Sequence, residues 1–267
     1  DPASPTQRVG GDPIDGFRTV RHAVPMLSIE NTYSEAEVRE WYQRMIRLTQ
    51  TGDAGGLFDN GDAEDAQDAA TGRTKGPKVV CDPKIDGVAL SLRYEKGELI
   101  TAVTRGDGEK GDDVTHAVRT IRAVPLRLQP NKDSKVKVPD ILEVRGEAFI
   151  PLAEFDRINA EREHAGEEPF MNPRNACAGT LKNLDPKIAA SRRLGFLAHG
   201  RGEMSDGFAT GYEQLLDKMA ALGVPSAGAA DYARSADDII RIIDRFDKAR
   251  RDLDYATDGM VVRIDDF

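Results

Sequence analysis

The chain has 267 residues, 39% of them hydrophobic and 31% charged, with a formal net charge of −9. That length can bury a real core, as one large domain or two small ones, and no apolar run is long enough to span a bilayer, so no membrane partner is expected. Two cysteines, Cys81 and Cys177, lie far apart and outside any C-x-x-C spacing, which points away from a zinc site or a disulfide framework and toward a reducing cytoplasm.

Ser34 and Glu37 form a capping box. Behind it Val38, Trp41, Tyr42, Met45 and Ile46 recur at helical spacing, so a helix is expected over residues 35–48. Residues 49–74 hold Asp53, Asp59, Asp62, Glu64, Asp65 and Asp68 against Arg73 alone, −5 of the net −9. This stretch lacks apolar periodicity and reads as an acidic flexible insertion. With it set aside, the remaining −4 leaves room for local basic patches, with Arg174, Lys182, Lys187, Arg192 and Arg193 as candidates for a phosphate backbone.

Strands are expected over residues 78–81, breaking at Pro83, and over 88–94 and 99–105, the last two joined by a Lys96-Gly97 turn. A short helix is expected over 112–119, a strand over 141–150, a helix from Pro151 to about Glu163, and a short strand over 196–199. A helix over 212–222 stops at Gly223. Another starts at Ser235 with Ile239, Ile242, Ile243 and Phe246 on one face, and residues 260–264 close the chain as a strand. Hairpins mixed with helices, without regular alternation, argue for an α+β fold with mostly antiparallel sheets flanked by helices.

Lys84-Ile85-Asp86-Gly87 sits between two of these apolar strands. A lysine at the mouth of a sheet can serve as a nucleophile, with Asp86 near enough to orient its amine or a metal, and Gly87 allowing close approach of a ligand. Further along stand Thr104-Arg105-Gly106-Asp107-Gly108, Glu143-Val144-Arg145-Gly146-Glu147 and Asp258-Gly259-Met260-Val261-Val262-Arg263.

Together these motifs resemble, in order, those of the covalent nucleotidyltransferases, which include DNA ligases, RNA ligases and capping enzymes and share an ATP-grasp-like DNA ligase fold. Two more segments narrow the resemblance to the adenylation domain of NAD-dependent bacterial DNA ligases. They are His22-Ala23-Val24-Pro25-Met26-Leu27-Ser28-Ile29-Glu30-Asn31 and Phe170-Met171-Asn172-Pro173-Arg174-Asn175-Ala176-Cys177-Ala178-Gly179-Thr180-Leu181-Lys182. The resemblance runs from about Val9 to Asp265.

It implies that Lys84 attacks the α-phosphorus of NAD, releasing nicotinamide mononucleotide and forming a lysyl–AMP. AMP then passes to the 5′-phosphate of nicked double-stranded DNA before sealing. On the same basis Asp86 joins Lys84 in catalysis. Ser28, Ile29, Asp82, Gly87, Arg105, Glu147 and Arg263 line the nucleotide site, with Arg263 beside the α-phosphate, and Arg174 and Lys182 contact DNA. Mg2+ offsets diphosphate charge, without a dedicated protein metal site. A monomer is implied.

Two departures from the family's pattern stand out: Asp82 is found where a glutamate usually contacts adenine, followed by Pro83 in place of a leucine-like residue, and Arg263 is found where a lysine is usual. Arginine for lysine is no conservative exchange at a tight site. The alternatives are an ATP-dependent ligase or capping-type enzyme, and a degenerate paralogue that binds nucleotide or nicked DNA without turnover. On this reading residues 1–267 are the nucleotidyltransferase core. The nicotinamide-binding piece would precede Asp1, and the oligonucleotide-binding, zinc-finger, helix-hairpin-helix and terminal BRCT modules would follow Phe267.

Overall fold

The computed structural model describes residues 14, 16–52, 76–227 and 231–267. Most of the acidic stretch, residues 53–74, lies outside the described residues; residues 49–52 belong to the first helix.

Of three antiparallel sheets among the described residues, two carry the molecule and the third is a short two-stranded ladder. The larger orders its strands β4(Glu98–Thr104)-β3(Val88–Glu95)-β6(Ile141–Phe149)-β7(Gly195–Met204). Alternate residues Leu90, Leu92 and Tyr94 of β3 and Leu142 and Val144 of β6 are fully buried, the period-2 pattern of a sheet with one core face. The Lys96-Gly97 turn joins β3 to β4 with φ of 49° and 84°, the doubly positive geometry that suits a two-residue hairpin. Against this sheet pack α2(Thr115–Val118), α4(Pro173–Leu181) and α6(Tyr212–Ala221), burying Ala176, Cys177, Leu181, Leu215 and Met219. Gly223 follows α6 with φ of 85°, a helix stop in the expected place.

The smaller sheet orders β8(Asp231–Ala233)-β2(Val79–Ile85)-β9(Thr257–Ile264). It is covered by α1(Glu35–Gly52) and α7(Ala236–Ala249), whose Val38, Tyr42, Ile239 and Ile242 meet Val79 and Cys81. Both helices start as the sequence indicates. The Ser34 N–H donates to Glu37 and the Glu37 N–H to Ser34 Oγ at 3.1 and 3.3 Å, and Ser235 Oγ accepts from the Asp238 N–H. Ile85, Phe149 and Tyr255 form an apolar link between the two sheets.

Several expectations are corrected. Strand β2 does not break at Pro83; its pairing with β9 runs through Pro83↔Met260 and Lys84↔Gly259. Among the described residues β8 pairs with Val79–Cys81 and does not reach the proline, which has no N–H to offer that side. Pro151 caps α3(Leu152–His164) from outside instead of opening it. The helix expected over 112–119 shrinks to α2, and β7 is ten residues long where four were expected. Strands β1(Thr19–Arg21), β5(Lys110–Asp112) and β8 and helix α5(Pro186–Ser191) were not expected at all.

Candidate active site

The β2–β9 ladder holds Lys84 over a β-bulge. Lys84 faces Gly259 and Ile85 faces Thr257, so Asp258 is the extra residue on β9. A bulged residue is re-aimed out of the strand's alternation, and Asp258 Oδ2 lies 2.6 Å from Lys84 Nζ. The expected partner, Asp86, faces elsewhere, toward Arg174 at 3.5 Å. Gly87 is needed for packing against the neighbouring sheet: a Cβ there would stand 2.2 Å from the Ala148 carbonyl of β6.

A strap closes the opposite side. The His22 N–H donates to the Glu109 carbonyl at 2.9 Å and the Met26 N–H to that of Gly108 at 2.8 Å. Arg145 of β6 reaches across to the Val24 and Pro25 carbonyls. The Thr104–Gly108 turn that receives the strap is itself braced by Asp107, whose Oδ1 accepts from the Glu109 and Lys110 N–H groups. Those two amide hydrogen bonds hold its carboxyl below the ordinary 3.8.

Between strap, strands and α4 lies a cavity of about 550 Å³, a size that suits a nucleotide-sized ligand. Lys84, Arg105, Arg145, Arg174, Lys182, Arg201 and Arg263 line it, against the carboxylates of Asp112 and Glu147. On a chain of net charge −9, that is a local reversal of sign. Converging cations with few counter-charges are what a phosphorylated ligand requires.

Ser28, Ile29, Lys84, Gly87, Arg105, Glu147, Arg174, Lys182 and Arg263 all line the cavity. Arg105 has no ion pair among the described residues. Arg174 and Lys182 project from α4 and its C-cap and are more than half exposed, Lys182 pairing with Asp112 at 2.8 Å. That helix is capped by Asn172, whose Oδ1 accepts from the Asn175 N–H, with Pro173 in the first turn. Asp82 does not line the cavity. It is buried behind Arg263, whose Nη2 lies 2.9 Å from its Oδ2, and burial pushes its carboxyl up despite Arg263 and His199 nearby. Arg263 opposes Val80 in the ladder, four residues from Lys84, so about 13 Å of strand separates them. The two cations therefore serve different ends of the cavity.

Besides Asp258, sequence reasoning missed three residues here. His199, with Nε2 3.7 Å from Glu147 Oε2, is a bulged residue like Asp258: Arg145 faces Gly200 and Gly146 faces Ala198. Arg145 and Arg201 carry no local signal beyond their place in strands, and their roles come from tertiary placement. Among the described residues no group of three or more His, Cys, Asp or Glu side chains is arranged to hold a metal ion. Likewise, no described helix is long and apolar enough to cross a membrane.

The comparisons agree with this geometry. The family model for the NAD-dependent DNA ligase adenylation domain matches residues 62–267. The DNA ligase of Geobacter sulfurreducens is 39% identical over 266 residues, covering 100% of this chain and 36% of the relative. Those of Gloeobacter violaceus and of Synechococcus sp. (strain CC9605) are 41% and 42% identical, each with 100% of this chain and 35% of the relative covered. The chain thus spans about a third of the length of the curated relatives it matches. With its lysine, its strap and its cation-lined cavity, it belongs to the NAD-dependent DNA ligase adenylation domain family.

Proposed function

We propose that this chain is the adenylation core of a DNA ligase, built on the covalent nucleotidyltransferase fold. In this reading Lys84 carries AMP between NAD and the 5′-phosphate of nicked double-stranded DNA, in replication and repair in the cytoplasm. The observation that carries the reading is the cavity itself: seven cationic side chains against two carboxylates, with Lys84 among them. Lys84 Nζ attacks the α-phosphorus of NAD, the P–N bond forms as the P–O bond to nicotinamide mononucleotide breaks, and the amine gives up a proton. Asp258 stands 2.6 Å from that amine and is placed to accept the proton.

Phosphoryl transfer depends mainly on positioning and on neutralising charge. Arg105 lies on the cavity wall for the phosphate, and Glu147 offers a carboxylate to ribose hydroxyls. Ser28 and Ile29 of the strap cover the nucleotide, while Gly87 admits the close packing that fixes the turn after Lys84. Mg2+ fits as an ion carried largely by substrate phosphates, since it keeps several waters and needs few carboxylates. Asp86, which faces Arg174 and not the Lys84 amine, is the hard oxygen donor left for it. Bound there, the ion would offset diphosphate charge.

Arg174 and Lys182 form the DNA-facing edge, and DNA phosphates would replace Asp86 and Asp112 as their partners. Binding through them weakens as salt rises. The protein acts as a monomer in this scheme.

Donor choice tests the proposal. With the protein offered adenylate-labelled NAD or ATP, or guanylate-labelled GTP, in the presence of Mg2+, label is expected on protein from NAD alone. Labelling from ATP or GTP instead would replace this reading with an ATP-dependent or capping-type enzyme.

A further inference from the structure

Two ion pairs cross the β2–β9 ladder in opposite senses. Lys84 of β2 meets Asp258 of β9 at the open end, where their side chains are 32% and 45% exposed. Asp82 of β2 meets Arg263 of β9 at the inner end, where they are 8% and 17% exposed. Only Arg263 of this second pair reaches the cavity.

The Arg263 guanidinium is fixed from several sides. Its Nη1 donates to the His199 carbonyl, its Cζ lies 4.9 Å from the centre of the Tyr212 ring, and Asp82 stands behind it. The approach to Asp82 is close but not aligned as a hydrogen bond. Asp82 Oδ2 and Arg263 Nε are both buried without a hydrogen-bond partner among the described residues. Such an arrangement is a poor source of stability, because a buried ion pair seldom outweighs its desolvation when a packed apolar pair could replace it. The upward push of burial on the Asp82 carboxyl expresses the same cost. A costly pair retained beside a ligand cavity, with one member facing the ligand and the other hidden, has the form of a support for the facing member.

We infer that Asp82 is a positioning residue that acts on the bound nucleotide through Arg263, so that residues 82 and 263 form one coupled unit. The inference rests on the nucleotide reading above. Asp82 lies back from the cavity, and the forked Arg263 cation fills the space between. Exchanging either one alone leaves a gap or a clash and an unmatched buried charge.

A double-mutant cycle on AMP affinity tests this, read by calorimetry together with the melting temperature of each variant. Asp82→Asn is expected to weaken AMP binding by about tenfold, and Arg263→Met by at least as much. The double variant is expected to bind no more weakly than Arg263→Met alone, because Asp82 has nothing left to act through. Asp82→Glu and Arg263→Lys should each weaken binding singly and restore it when combined. That second cycle keeps both charges and serves if the neutral variants do not fold.

Factors that multiply in either cycle would mean that Asp82 touches the nucleotide independently, and would overturn the inference alone. A fall in melting temperature with unchanged AMP affinity would overturn it in favour of a purely structural pair. Failure of the parent protein to bind AMP at all would overturn the nucleotide reading first, and this inference with it.

Discussion

At the scale of single residues, the cavity's cations differ in how they are held: Lys84 has the Asp258 carboxylate, whereas Arg145 and Arg263 are each fixed from several sides. Gly87 shows how little room is left. An alanine Cβ would lie 2.2 Å from the Ala148 carbonyl oxygen and 2.9 Å from Glu147 Cγ, so strand β6 or the turn after Lys84 must move. Gly87→Ala should cost about 1–3 kcal/mol of stability, measured by denaturant unfolding, and should slow adenylation as well. An unfolding midpoint equal to the parent's would contradict the packing described. Asp107 offers a test by pH. Its folded carboxyl titrates below the ordinary 3.8 because the ionised form accepts two backbone N–H groups. The stabilisation is therefore present above 3.8 and is lost as pH falls through the lower, folded-state value. NMR titration should show the Glu109 and Lys110 amide signals shifting together in that acid range. Asp107→Asn should abolish the shift, and signals that stay put in the parent would show that the carboxylate does not brace the turn.

Elements explain why some of this was legible in the sequence and some was not. Capping boxes, the Lys96-Gly97 turn and the apolar stripes of α1 and α7 are local, and each appears where sequence alone puts it. The motif residues gather around one cavity because the strands carrying them are neighbours in two sheets. Three-residue strands such as β1, β5 and β8 are too short for any periodicity to show. The bulges are the more telling case. Asp258 comes to Lys84, and His199 to the cavity, each as the extra residue of a bulge, and a period-2 reading assigns a side to every residue without a place for an extra one. Asp86 was the expected partner of Lys84 because it is near in sequence, whereas the bulge brings in Asp258 from 174 residues away. Gly259 beside the bulge has φ of 150°, with open space where a side chain would go. Gly259→Ala should therefore act through backbone strain alone, costing roughly 1–3 kcal/mol. It should also shift Asp258 off Lys84, visible as slower adenylation by the folded variant. Normal stability and normal adenylation together would show that the bulge needs no glycine.

For the whole molecule, the net charge of −9 is compatible with the cation-lined cavity because −5 of it belongs to residues 49–74, whereas the described residues that line the cavity carry seven cationic side chains against two carboxylates. The strap, two sheets and α4 meet at Lys84, so the central claim concerns what that amine carries. Intact-mass measurement of the protein before and after NAD and Mg2+, followed by peptide mapping, asks this directly, with the longer protein as the sample wherever further segments supply the nicotinamide-binding piece. The account predicts a mass gain of one adenylyl group, located on Lys84 and abolished by Lys84→Arg, while that variant stays folded and still binds AMP. An adenylyl group on any other residue, or none from NAD under any condition, would contradict it.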